Sequence, residues 1–231
     1  MIRFPLRRFA IVTLAFAGLM ATILPKPAAA EGTTAISCRA SAIRITGAGP
    51  LAFLGTIEPV VSNSTGTVCA NDFDGFGAPL VLPSALGAIG AVLTLTTYTQ
   101  TASLHEGGAL ADGLNVLLTV PGGLPIIGVQ ELFARVTVTC HIDGTRPAGN
   151  RIVGTSTVLG LSINAVPVVV PLLGQGHLDI PLGVGTLHLN EKIRTAPGVT
   201  PHVMTQRALW LDAPGLIDVV IAEAVGDYHL P

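Results

Sequence analysis

Residues 187–195, LHLNEKIRT, crowd ionisable side chains together in a chain where Asp, Glu, Lys and Arg make only 11% of the residues. Written as a β-strand, the segment places His188, Asn190, Lys192 and Arg194 on one face and Leu187, Leu189, Glu191 and Ile193 on the other. A carboxylate among aliphatic side chains is catalytic, ligand-binding or structural. The next strand carries Arg207 on a face shared with Val203, Leu209 and Leu211, and an unpaired buried carboxylate is costly. The expectation is therefore a structural Glu191–Arg207 ion pair, or else a β-bulge after Leu189 that turns Glu191 toward solvent.

Other chemistry is thinly supplied. Ser84 and Ser162 lie in no GxSxG turn, so a serine nucleophile lacks its usual strand-to-helix setting. The six histidines, His105, His141, His177, His188, His202 and His229, form no HExxH pair. His188 and Glu191, three apart on a strand, should point to opposite faces. HID at 141–143 offers a ligand and a carboxylate but nothing more. ANDFDGFG at 70–77 places Asp72 and Asp74 near Gly75, hard oxygens in one loop, yet without the twelve-residue calcium-loop pattern; it reads as an Asx-rich solvated turn. GGLPIIG and GAIGAV have glycines but not the strand, turn and helix that cradle phosphates. One tryptophan, Trp210, and two tyrosines, Tyr98 and Tyr228, make a poor carbohydrate platform, and Trp210 reads as a packing residue. No catalytic residue, metal ligand or cofactor site is assigned, and no cofactor is expected.

The elements that would position these residues follow an N-terminal segment of a different kind. Arg3, Arg7 and Arg8 precede an apolar run at 9–24, and Ala28, Ala29 and Ala30 follow it. That is the layout of a secretory signal peptide spanning 1–30, and sixteen apolar residues are too few for an ordinary spanning helix. Downstream, 159–173 is the nearest approach to a second span, interrupted by Asn164, Pro167 and Pro171, so no transmembrane segment is expected in the exported chain. Removing Arg3, Arg7, Arg8 and Lys26 leaves eight basic residues against fourteen acidic ones, a formal charge of −6 with neutral histidines. With one lysine, Lys192, remaining, a nucleic-acid groove is excluded. Export into an oxidising compartment favours one disulfide among Cys38, Cys69 and Cys140. Either Cys69–Cys140 or Cys38–Cys69 is open to it on composition.

Residues 31–231 read as a single β-rich domain. Gly and Pro together number 44, and Val, Ile, Leu and Thr fill the spaces between them, the mixture of short strands and turns. Strands are expected at 40–45, 52–61, 91–103, 115–120, 133–140, 152–159, 161–170 as a hairpin, 185–195, 202–211 and 217–224. In the hairpin the chain turns near Asn164 and Ala165, and Pro167 marks an edge. The stretch 76–90 is undecided between loop and short helix. Strands at this spacing, without intervening amphipathic helices, predict an antiparallel β-sandwich or a related all-β fold.

The segments SCRASAIRITGAG, IEPVVSNSTGTVCANDF, VTVTCHIDG, GLSINAVPVVVP, GVGTLHLNEKI and GLIDVVIAEA, in this order, resemble the choice-of-anchor P family of secreted actinobacterial surface proteins, over roughly residues 37–224. The resemblance implies an exported β-rich protein of uncertain activity. It also implies that Cys69 and Cys140 are the paired cysteines, with Cys38 left over. It brings no catalytic residues, and the chain departs from the family by ending without an anchoring tail.

Together these readings predict a secreted or cell-surface-associated structural or interaction protein. Its partners would be copies of itself or components of the envelope, met through apolar stretches such as VLLTVPGGLPIIGVQ and VPVVVPLLG. The rival readings are an extracellular hydrolase whose catalytic groups converge from distant strands, and an adhesion or ligand-binding module. A concave pocket joining a histidine to a carboxylate and a serine would favour the hydrolase.

Overall fold

Alternating β-branched and small residues, punctuated by Gly, Pro and Asn, place almost all of the described chain in strands. The computed structural model describes residues 36–66, 68–76, 80–84, 87–103, 106–119, 124–139, 151–170, 176–195 and 202–228. Outside these lie the signal peptide expected at 1–30, Cys140, the HID segment, and His105 and His229. The strands are β1 (Ile36–Gly47), β2 (Thr56–Ser62), β3 (Asp72–Phe76), β4 (Leu80–Ser84), β5 (Gly87–Ser103), β6 (Glu106–Leu118) and β7 (Ile127–Thr139). They continue with β8 (Arg151–Leu159), β9 (Ser162–Ile163), β10 (Val166–Pro167), β11 (Leu178–Pro181), β12 (Thr186–Arg194), β13 (His202–Ala213) and β14 (Ile217–Tyr228). A 3-10 helix, Gly49–Leu54, links β1 to β2.

Two antiparallel sheets pack face to face, as expected of an all-β sandwich. One has the order β11-β12-β13-β14-β1-β2; the other runs β10-β9-β7-β6-β5-β3, with β4 also on β5 and β8 also on β7. Their inner faces form one aliphatic core containing Ile43, Leu189, Leu209 and Ile221 from the first sheet and Leu132, Ala134, Val136 and Val138 from the second. Small residues let the sheets approach closely. A methyl group at Gly226 would come within 2.7 Å of Val136 and Val138, and one at Gly154 within 2.6 Å of the Met204 sulfur.

The six-stranded sheet departs from simple alternation along one line that crosses four strands. Ile45, Val219, Leu211 and Leu187 form one aligned inward row, and Ile43, Ile221, Leu209 and Leu189 the next. The following residues, Ala42, Ala222, Ala208 and Asn190, are buried as well, so β12 and β13 each bury two consecutive residues at this line, and β1 and β14 bury them within the longer runs 40–43 and 219–224. Asn190 (φ 55°) and Ala222 (φ 53°) occupy the left-handed region, which is what reverses the alternation. Beyond the line, Glu223, Arg207 and Glu191, aligned with one another and with Ser41, lie on the outer face together with His188.

This overturns the simple period-two assignment: His188 and Glu191 share a face, and Arg207 is opposite Leu209 and Leu211. Glu191 is turned outward after Leu189, as the bulge alternative required. No extra residue is inserted, however, because β13 changes phase in the same row and the register is continuous. Inside, the Ser156 hydroxyl of β8 donates to the Asn190 side-chain oxygen (3.0 Å) and accepts from the Gln206 amide (2.6 Å), joining the sheets through a buried polar bridge.

The disulfide pairs Cys38 with Cys69, correcting the Cys69–Cys140 pairing implied by the family resemblance. The cause is a local chain reversal. Asn63 (φ 50°) and Gly66 (φ 62°) turn the chain back after β2. The Cys69 amide then donates to the Ile36 carbonyl (2.8 Å), and the Asn63 side-chain amide donates to the Cys38 carbonyl (2.6 Å). These bonds set the two α-carbons 5.0 Å apart, within disulfide reach.

ANDFDGFG is also different from expectation, since Asp72 and Asp74 belong to β3. Their carboxylates accept hydrogen bonds from the Asn63 (2.7 Å) and Val61 (3.0 Å) amides, tying β3 of one sheet to the end of β2 in the other. The hairpin β9–β10 turns at Asn164 (φ 51°) and Ala165 (φ 63°), and Pro167 falls on the outermost strand, where its missing amide proton costs no ladder bond. The undecided stretch 76–90 contains β4 and the start of β5.

Candidate functional site

The phase change places an otherwise improbable set of polar side chains on the outside of the six-stranded sheet. Glu223 of β14 is its centre. Arg44 of β1 donates to both Glu223 oxygens (2.8 and 3.1 Å), and Arg207 of β13 donates through Nε (2.7 Å). Arg39 stands 3.8 Å away and forms its closer ion pair with Glu58. Covered by these guanidinium groups, Glu223 is only 3% exposed, although it lies on the outer face. Arg207 also donates through Nη1 to Glu191 Oε2 (2.8 Å), across a register pair, so the structure brings Glu191 and Arg207 together. Burial works against the Arg207 charge, but the hydrogen bonds and negative charges of Glu223 and Glu191 outweigh it and raise its pKa above the ordinary arginine value.

From Arg207 the face continues as stacked rings. The guanidinium carbon lies 5.1 Å from the centre of the Trp210 ring, and His188 stacks on Trp210 at 4.4 Å. His177 stacks in turn on His188 at 5.6 Å. Trp210 Nε1 donates to Asp218 Oδ2 (2.6 Å), which fixes the indole in its plane. Trp210 is thus partly buried and stacked on the outer face, rather than aligned with the inward Ala208 and Met204.

At the sheet edge, Asp179 meets both histidines. Its Oδ1 lies 2.6 Å from His188 Nδ1 and 2.7 Å from His177 Nε2. His177 and Asp179 are alternate residues leading along β11, while Leu178 and Ile180 pack against the core; His188 is the cross-strand register partner of Asp179. Sequence reasoning missed this cluster because β11 is four residues long. The available signal was HLD at strand spacing, followed by the proline- and glycine-containing turn PLGVGT and then His188.

The arrangement is rich in paired charge and, among the described residues, joins no nucleophile to a base. The hydroxyls of Ser62, Ser156 and Ser162 are hydrogen-bonded to Thr97, to Asn190 and Gln206, and to the Gly128 carbonyl, with no histidine among these partners. A separate cleft of about 250 Å³ is lined by Arg194, Thr195, His202, Met204 and Tyr228, among others, with no carboxylate or serine among the described residues of its lining. His202 in that cleft stacks against Tyr228 at 4.7 Å. Among the described residues, the convergence of histidine, carboxylate and serine that would favour hydrolysis is not met in this cleft.

No helix among the described residues is long and apolar enough to cross a membrane, which says nothing of a β-barrel. No protein-family model matches the chain, and no curated protein or solved structure is significantly similar to it.

Proposed function

We propose that this is an exported structural or interaction protein, held at or released from the cell surface, that works by presenting the faces and edges of a disulfide-braced sandwich. The observation that carries this reading is an apolar edge on the eight-stranded sheet. The pairings β6–β7, β7–β9 and β9–β10 bring the two apolar stretches of the sequence side by side. Leu117, Ile126, Val166 and Val169 are exposed there, Val169 at 90%. Exposed apolar side chains gathered at a sheet edge suit association with a second copy or an envelope component.

Other features support the same reading. A disulfide fits an oxidising compartment. Glu191 and Glu223 on the outer charged face are committed to arginines, which suits cohesion better than turnover. The resemblance to secreted surface proteins points the same way.

Fractionation of the producing cells tests the proposal. The protein is expected in the envelope and medium, and Val166→Ser with Val169→Ser should shift it from envelope to medium without lowering its thermal stability. Recovery in the cytoplasm alone would overturn the proposal, and an unchanged distribution of the double variant would overturn the role of the apolar edge.

A further inference from the structure

The His177, Asp179 and His188 cluster has a chemistry that the surrounding ion pairs do not. We propose that these three residues bind one divalent transition-metal ion of the zinc and copper class, leaving a coordination position open to water or an external ligand. The inference stands apart from the proposal of a surface role.

The donor set selects the class of ion. Two imidazole nitrogens and one carboxylate oxygen suit zinc or copper, whereas calcium and magnesium require mostly oxygen. The three potential ligand atoms already lie within 4.8 Å of one another. Zinc holds such ligands at about 2.0 to 2.2 Å in tetrahedral geometry, which separates neighbouring ligand atoms by roughly 3.3 Å. The present contacts to Asp179 Oδ1, 2.6 and 2.7 Å, are hydrogen-bond distances, so the ion would enter as the carboxylate retreats by less than about an ångström. The Asp179 side chain is 51% exposed and lies at the sheet margin, where such a movement disturbs no core packing.

Each ligating nitrogen must present a lone pair, His188 through Nδ1 and His177 through Nε2, so the proton that each of these atoms directs at Asp179 must leave or move to the other ring nitrogen as the ion binds.

The site is built rather than assembled from loose surface groups. His188 is 16% exposed. Its ring is set by Trp210 on one side of the stacking series and His177 on the other. Trp210 is itself held by Asp218. The nearest guanidinium along the series, Arg207, is neutralised by Glu191 and Glu223. Orientation of one histidine by packing lowers the cost of organising the ligands when the ion arrives.

Trp210 is the chain's one tryptophan, and its stacking on a proposed ligand makes it a reporter. Tag-free exported protein is titrated with copper(II) at pH 7.5, followed by competition with zinc; zinc stoichiometry is measured by calorimetry. The expected result is saturable quenching of Trp210 by copper, reversal by a large excess of zinc, and one zinc per chain. Asp179→Asn and His177→Ala should each weaken zinc binding at least tenfold while leaving the melting temperature within about 2 °C, because both side chains are exposed at the edge. His202→Gln, remote in register from the cluster, should bind as wild type does. Absence of zinc binding at millimolar concentration, equal affinity in the wild type and both cluster variants, or equal competition by calcium would overturn the site.

Discussion

Replacing Glu223 by Gln keeps the size of the side chain and removes the charge that joins β1 to β13. Arg44 then loses its bidentate partner, and Arg207 keeps only Glu191. Removing one member of a buried pair costs about 3 to 5 kcal/mol. The arginine side chains are 16 to 24% exposed, and Arg207 retains one partner, so about 2 to 3 kcal/mol is the scale expected here. For a domain of this size that corresponds to a fall in melting temperature of roughly 4 to 12 °C.

Glu191→Gln supplies the comparison, because Arg207 would still hold Glu223; its cost should be about 1 kcal/mol or less. Thermal denaturation of the oxidised proteins, followed by circular dichroism, measures both. The raised Arg207 pKa gives a further condition. A group whose folded pKa lies above its unfolded value contributes fully below the unfolded value and loses that contribution only as pH rises through the folded one. The Arg207 contribution should therefore be the same at pH 7 and pH 9, well below the arginine range. An E223Q protein melting within 2 °C of wild type, or one less damaged than E191Q, would refute the assignment of Glu223 as the centre of the network.

Two other substitutions probe the remaining braces. Cys38→Ala opens a link between residues 31 apart in sequence, and the loop-entropy relation puts the loss at about 3 to 4 kcal/mol, measurable as a lower guanidinium midpoint under non-reducing conditions; an unchanged midpoint would contradict it. Asn190→Ala should cost about 1 to 3 kcal/mol by removing the Ser156 bond while leaving the left-handed backbone, and Asn190→Gly should cost less because glycine relieves the backbone strain. Chemical denaturation that ranks the glycine variant below the alanine variant would count against the role of that backbone conformation.

The sheet architecture was legible because aliphatic alternation runs through most long strands, and the β9–β10 hairpin carried its own turn signal at Asn164. Glu191 was harder. Its pairing with Arg207 could be anticipated from the cost of burying a lone carboxylate, but its face could not, because the left-handed turn at Asn190 reverses the alternation and the matching change in β13 preserves the register. The same reversal hid the common face of His188 and Glu191. Asp72 and Asp74 resembled a turn because carboxylates are unusual in a strand; their bonds to backbone amides across the sheets are tertiary and leave no local periodicity. Cys38 and Cys69 depended on the reversal at Asn63 and Gly66, which composition did not resolve. The His177–Asp179–His188 cluster required the register of a four-residue strand, too short to announce itself by alternation.

The central claim is that this sandwich is exported and acts through its surface. The most direct test is to isolate the native protein from separated cytoplasmic, envelope and extracellular fractions, then determine its N-terminus and disulfides by non-reducing peptide mass analysis. The account predicts envelope or extracellular protein beginning at Glu31 with Cys38 joined to Cys69. Protein confined to the cytoplasm, with residues 1–30 retained and both cysteines reduced, would contradict it.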